Sequence, residues 1–170
     1  KAISLLLTRN IIFIFFFSAS RERALREKAL NALTDRPMSR KELTDRLKSW
    51  EAGQEEAEGV ADWLESLGLL NDEEYAKSLV RHYAAKGYGP YKLRDELYRR
   101  GIPKPYWEDA LQEAEDPAEI IDALLRRRLG GGAADQKALK RASDALARRG
   151  YSWGDIHAGL RRYGAEIEEK

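Results

Sequence analysis

A chain of 170 residues that is 43% hydrophobic and 35% charged can build one compact domain or a string of small modules, and nothing in it implies a long catalytic scaffold. Thirty basic against twenty-nine acidic side chains leave a net charge of only +1, so any pull on a polyanion must come from local clustering. Cysteine is absent, which excludes disulfides, thiolate nucleophiles and sulfur-ligated metals and fits a reducing, cytoplasmic setting.

The first twenty residues, KAISLLLTRNIIFIFFFSAS, hold all four phenylalanines, Phe13, Phe15, Phe16 and Phe17. A basic start, a short apolar run and a small-residue end imitate a secretory signal. Thr8, Arg9 and Asn10 interrupt the about 20 apolar residues that a spanning helix needs. The other readings of this leader are a two-strand hairpin turning at Thr-Arg-Asn and an extension foreign to the domain that follows.

From Ser20 onward strand signals stop. Apolar residues at spacings of three and four predict helices over 20–34, 39–49, 55–67, 72–86, 90–100, 104–115, 117–129, 135–149 and 153–163. Ser39 with Glu42, Asn71 with Glu74 and Asp116 with Glu119 each have the spacing of a capping box, and Pro117 suits a first helical position, where its missing N–H costs nothing. The chain reads as all-α.

The helices repeat. Leu25, Ala29, Leu30, Leu33, Leu43 and Leu47 return fifty residues later as Tyr75, Leu79, Val80, Tyr83, Leu93 and Leu97. Leu97, Arg99, Arg100, Gly101, Trp107 and Leu111 return forty-nine residues later as Leu146, Arg148, Arg149, Gly150, Ile156 and Leu160. Leu79 and Val80 are answered by Leu124 and Leu125 at forty-five, which places an insertion of about four residues near Gly-Gly-Gly-Ala-Ala-Asp, in a loop. The expected organisation is a leader (1–20), three tandem three-helix repeats (21–70, 71–115, 116–164) stacked into an elongated curved array, and an acidic tail (165–170).

Chemical motifs are few. Gly-Tyr-Gly at 87–89 and Gly-Gly-Gly at 130–132 follow no strand and lack the phosphate-loop spacing, so they read as helix ends, as do Gly101 and Gly150. His82 and His157 have no ligating or catalytic partners at useful spacing, so no metal, cofactor or catalytic residue is expected. Asp95 and Glu96 read as solvated partners of nearby Lys and Arg, and Trp63, Trp107 and Trp153 read as core. The informative feature is basic: residues 126–162 hold ten Lys and Arg against three acids, a local charge of +7, with Arg126, Arg127, Lys140, Arg141, Arg148 and Arg149 prominent. Tyr88, Tyr91, Tyr98, Tyr151 and Trp153 lie nearby in sequence, and mixed basic and aromatic surfaces suit phosphates or a protein interface.

The stretches SRKELTDRL, GLLNDEEYAKSLVRHYAAKGYGPYKLRDELYRRGI and RASDALARRGYSWGDI closely resemble the RecX family of regulatory proteins, over residues 21–164. The leader lies outside the resemblance. It implies three tandem three-helix repeats lying in the helical groove of the RecA filament on single-stranded DNA, inhibiting recombinase, ATPase and coprotease activities. Carried onto this chain, it puts Tyr75, Ala76, Leu79, Val80, Leu93 and Leu97 in the core and leaves Arg81, Lys86, Lys92, Arg94, Arg99 and Arg100, with Arg148 and Arg149, for contact. The expected protein is a monomeric, non-enzymatic binder with weak direct DNA contact, no small-molecule substrate and no membrane association. The rival reading is a helical DNA-binding protein or transcription regulator that contacts phosphates directly.

Overall fold

The computed structural model describes residues 2–130 and 135–164, with side chains from residue 19 onward. The described residues form α1 (Ala2–Asp35), α2 (Arg40–Ser49), α3 (Gln54–Ser66), α4 (Asp72–Ala85), α5 (Pro90–Arg99), α6 (Trp107–Leu111), α7 (Pro117–Leu129), α8 (Gln136–Arg148) and α9 (Trp153–Tyr163), with no strand among them. The all-α expectation holds. The bulk of the predicted insertion, residues 131–134, and the acidic tail lie outside the described residues.

Two expectations need correction. Residues 2–20 are helical backbone continuous with the first repeat's opening helix, so the hairpin reading fails. The Ile and Phe run favours a half-buried pleated surface and carries little intrinsic strand preference, and a lone hairpin is marginal without a sheet to join. The sixth helix is also shorter than predicted: Lys104–Tyr106 form a 3-10 turn before α6. Pro103 and Pro105 remove amide donors and restrict the residues before them, which suits a tight turn.

The chain divides into two compact units, one running through Asp72 and one beginning at Glu73. In the first, α1, α2 and α3 enclose Leu25, Ala29, Ala32, Leu43, Leu47, Val60 and Leu64. The predicted box forms: Ser39 Oγ accepts from the Glu42 amide (3.0 Å) and the Glu42 carboxylate accepts from the Ser39 amide (3.1 Å). The Arg40 guanidinium joins α2 to α3 by reaching Glu58 (2.5 Å), Asp62 (2.7 Å) and Glu65 (2.7 Å). Burial pulls its pKa down, but these three bonds overcome that and hold it above its usual value. Among α1 residues, Leu30 is 36% exposed while Val80 is 1% exposed, so the spacing of fifty fails there; fully buried Ala29 answers Val80 at fifty-one.

In the second unit, α4–α6 pack around Ala76, Val80, Leu93, Leu97 and Ala110, and α7–α9 around Ile121, Leu125, Leu139, Leu146, Ile156 and Leu160. Asp116 caps α7 through the Ala118 amide (2.9 Å), with Pro117 at the first helical position. A bidentate contact from Arg162 to Asp122 (3.0 and 2.7 Å) links α7 to α9.

The middle helix of every repeat ends alike. In α5, the Gly101 amide returns to Tyr98 O (2.9 Å) and Ile102 to Leu97 O (3.0 Å); in α8, Gly150 returns to Ala147 O (2.9 Å) and Tyr151 to Leu146 O (3.3 Å). This is the Schellman arrangement, with glycine in the left-handed region. In α2 the same bonds form from Glu51 to Lys48 O (2.9 Å) and from Ala52 to Leu47 O (3.2 Å). Glu51 stands there with φ of 66°, where the other two repeats carry glycine.

Candidate functional site

Gly87-Tyr88-Gly89 is the joint between the second and third repeats. The N-terminus of α5 opens with Pro90, which has no N–H, and its neighbouring donors are met by the end of α8: the Gly89 amide donates to Arg149 O (2.8 Å) and the Tyr91 amide to Gly150 O (3.0 Å). The positive end of one helix meets the negative end of another. Side chains cannot fit here. A Cβ on Gly89 would lie 2.6 Å from Gly150 O, and one on Gly150 (φ +88°) would lie 2.5 Å from the Lys92 nitrogen. The Gly89 amide is thus committed to protein.

Arg149 and Tyr151 complete the joint. Arg149 Nη1 donates to Lys86 O (2.9 Å) and Gly87 O (3.2 Å), and the Tyr151 hydroxyl donates to Gly87 O (3.3 Å). Burial pushes the Tyr151 phenol up to about 12. Of the residues expected to meet a partner, Arg149 therefore has structural work across sixty-three residues of chain, which neighbouring sequence could not announce.

The predicted contact cations fall into two classes. In the second repeat Arg81 pairs with Glu113 (3.0 Å), Arg94 with Glu108 (3.7 Å), Lys92 with Asp95 (3.0 Å) and Glu96 (3.2 Å), and Arg99 with Glu96 (3.0 Å). The side-chain bonds to Asp95 and Glu96 raise the Lys92 pKa. Glu96 is only 4% exposed, against the expectation of a solvated carboxylate, because Lys92 and Arg99 stand at i−4 and i+3 and cover it. Arg100 is half-buried, and the Lys86 ammonium lies 5.5 Å from the Tyr83 ring centroid.

In the third repeat the cations stand open. Arg126, Arg127, Lys140, Arg141 and Arg148 are exposed, and none makes an ion pair with a described residue. On α8, Lys137, Lys140, Arg141 and Arg148 follow helical spacing, opposite the buried Leu139, Ala142 and Leu146. This helix presents a cationic stripe whose one acid, Asp144, forms no ion pair with Lys137, Lys140, Arg141 or Arg148.

The aromatic expectations divide. Tyr91 and Tyr98 are 63% and 72% exposed, but Tyr151 is buried. Trp63 and Trp107 are half-buried against their cores, the Trp107 indole donating to Ile102 O (2.9 Å). Trp153, expected in the core, is 53% exposed at the start of α9, where its ring meets the edge of His157 (5.9 Å between centroids); the first turn of that helix points away from the packed stripe of Ile156 and Leu160. Among the described residues no group of three or more His, Cys, Asp and Glu side chains could hold a metal ion, and no helix is long and apolar enough to cross a membrane.

Comparison with known proteins places this arrangement. Residues 26–64 match the model of the first three-helix domain of RecX, and residues 71–111 match that of the second. A regulatory protein RecX from Xanthomonas axonopodis pv. citri (strain 306) is 36% identical over 137 residues, covering 79% of this chain and 85% of that protein. One from Pseudomonas putida is 37% identical over 109 residues, covering 64% and 77%. The crystal structure of RecX from Lactobacillus salivarius has the same fold, with a TM-score of 0.77 at 24% identity over 86% of this chain and 98% of that one. Sequence and fold agree, and the chain belongs to the RecX family of regulatory proteins.

Proposed function

We propose that this protein binds the RecA filament on single-stranded DNA in its helical groove and thereby inhibits the recombinase, ATPase and coprotease activities. The observation that carries the reading is the unpaired cationic stripe of α8 with Arg126 and Arg127, on a fold whose family is regulatory. Unpaired cations attract an anionic groove at long range without first breaking an internal ion pair. The paired cations of the second repeat, Arg81, Lys92, Arg94 and Arg99, have weaker attraction because their carboxylates cancel much of their field. Binding is sufficient for inhibition, as an object in the groove excludes whatever else must enter it. Tyr91 and Tyr98 add exposed aromatic surface suited to an interface.

The test is ATP hydrolysis by RecA on single-stranded DNA with the full chain added, beside binding to bare DNA. The expected result is inhibition by the parent and a marked preference for coated over bare strands. Reversing Lys140, Arg141 and Arg148 to Glu should remove most of the inhibition and flatten its salt dependence. Equal binding to bare and coated strands would instead favour the rival reading of a plain DNA-binding protein. Unchanged hydrolysis at saturating parent protein would sink the proposal.

A further inference from the structure

The second and third repeats enclose a cleft of about 950 Å³ that the cationic stripe does not explain. We infer that this cleft, running along α7, docks a short segment of a protein partner that carries carboxylates at one end and an aliphatic anchor behind them. The inference rests on the filament reading above and names the kind of contact the partner makes.

Three features of the cleft select that occupant. Its apolar lining comes from Leu93, Leu111, Ile120 and Leu124, aliphatic surface that suits an aliphatic side chain. Its charge is uneven: the lining cations Arg81 and Arg94 are paired with Glu113 and Glu108, which leaves Glu115 and Asp116 at one end against unpaired cations at the other. Asp116 and Arg127 both line it and stand eleven residues apart on one helix, which at the helical rise is about 16 Å. Around Arg127 lies an adjoining hollow of about 270 Å³, lined by Leu124, Arg127, Arg128 and Arg149 with no carboxylate among them. Lys86, exposed and without an ion pair, joins that end, whereas Glu115 joins the Asp116 end.

A nucleic acid fits this pattern less well. A phosphate backbone is uniformly negative and would be repelled at the Asp116 end, while a peptide can carry its carboxylates at one end only. The lining also offers no open ring for a base. Tyr88 has the Arg149 guanidinium 6.0 Å from its centroid, and Tyr151 is 4% exposed; the exposed Tyr91, Tyr98 and Trp153 lie outside the lining.

Because the chain has no cysteine, Ala123→Cys, at an exposed position of the lining, takes a single benzophenone-maleimide label. The labelled full chain is bound to RecA filaments on single-stranded DNA, checked by co-sedimentation and irradiated. Crosslinking to the RecA polypeptide, at a peptide where Asp or Glu neighbours an aliphatic residue, is the expected result. Crosslinking to the DNA strand alone, or none from a chain that co-sediments, overturns the inference. If the label itself blocks binding, the unlabelled pair Lys86→Glu with Arg127→Glu decides. Both side chains are exposed, and their reversal should weaken filament binding about tenfold more than it weakens binding to bare oligothymidylate, where only the general loss of positive charge is felt. Equal loss on both ligands, or no loss, overturns the inference. If the parent chain fails to sediment with filaments, the filament reading falls, and this proposal with it.

Discussion

The second and third repeats end their middle helices with the same Arg-Arg-Gly, yet the two pairs do different work. On α5, Arg99 covers the buried Glu96 together with Lys92. On α8, Arg148 projects unpaired and Arg149 turns back to hold the second repeat by its carbonyls. The difference lies in where acids fall. Asp95 and Glu96 stand within a turn of Lys92 and Arg99, whereas α8 carries a single acid, Asp144, among four cations. Counting basic residues therefore says less about a binding surface than locating the carboxylates that could silence them.

The comparison breaks most directly in the cores. Leu97 (0% exposed) and Leu146 (2%) hold equivalent places, so Leu97→Ala and Leu146→Ala should each cost about 2 to 5 kcal/mol in denaturant unfolding. A mutant that unfolds like the parent would show that the repeats do not share this register.

The joint predicts the next largest effect. Gly150→Ala adds a Cβ 2.5 Å from the Lys92 nitrogen at a φ of +88°, and the left-handed conformation alone costs about 1 to 2 kcal/mol. Backbone amide exchange should then accelerate at Gly89 and Tyr91, whose hydrogen bonds end on Arg149 and Gly150. Unaltered protection at those amides would mean the joint tolerates the methyl group.

A smaller effect of opposite sign belongs to the first repeat. Glu51→Gly relieves the same conformation at the one Schellman end that lacks glycine. The gain should be at most about 1 kcal/mol, since glycine loses more freedom on folding. A lower melting temperature would mean that the Glu51 side chain contributes something its backbone does not.

The smallest effect concerns acid. The hydrogen bond from Arg162, opposed by slight burial, holds the Asp122 carboxyl below its ordinary value of 3.8. A group whose folded pKa is depressed stabilises the fold above its unfolded pKa and loses that contribution as pH falls through the folded one. The parent's melting temperature should thus fall slightly more than that of Asp122→Asn as pH drops below about 4. Parallel curves would show that this exposed pair contributes nothing measurable.

Much of the fold was legible because the signals were local. Helix starts at Ser39, Asp116 and Pro117 and stops at Gly101 and Gly150 depend on residues within about a turn, so reading them needs no knowledge of the rest of the chain. The repeat pattern was legible for the same reason, and it slipped only at Leu30, where a buried alanine beside it carries the register. Family resemblance was legible in the Gly-Tyr-Gly-Pro and Arg-Arg-Gly stretches. The site was legible only as a list of cations.

Which of those cations are available was decided by tertiary structure. The Arg81–Glu113 pair spans thirty-two residues, and Arg149 reaches Lys86 across sixty-three. The Arg40 network went unread because its three acids lie on another helix. Trp153 looked like core because it falls in an apolar stripe along the sequence, but its place in the first turn of α9 leaves it in solvent. Hydrogen bonds within a turn are dictated by spacing along the chain, and so the sequence by itself determined the helices, their caps and their repetition. Ion pairs, burial and the cleft beside α7 depend on which helices meet, and only the folded chain brings those side chains within reach of one another.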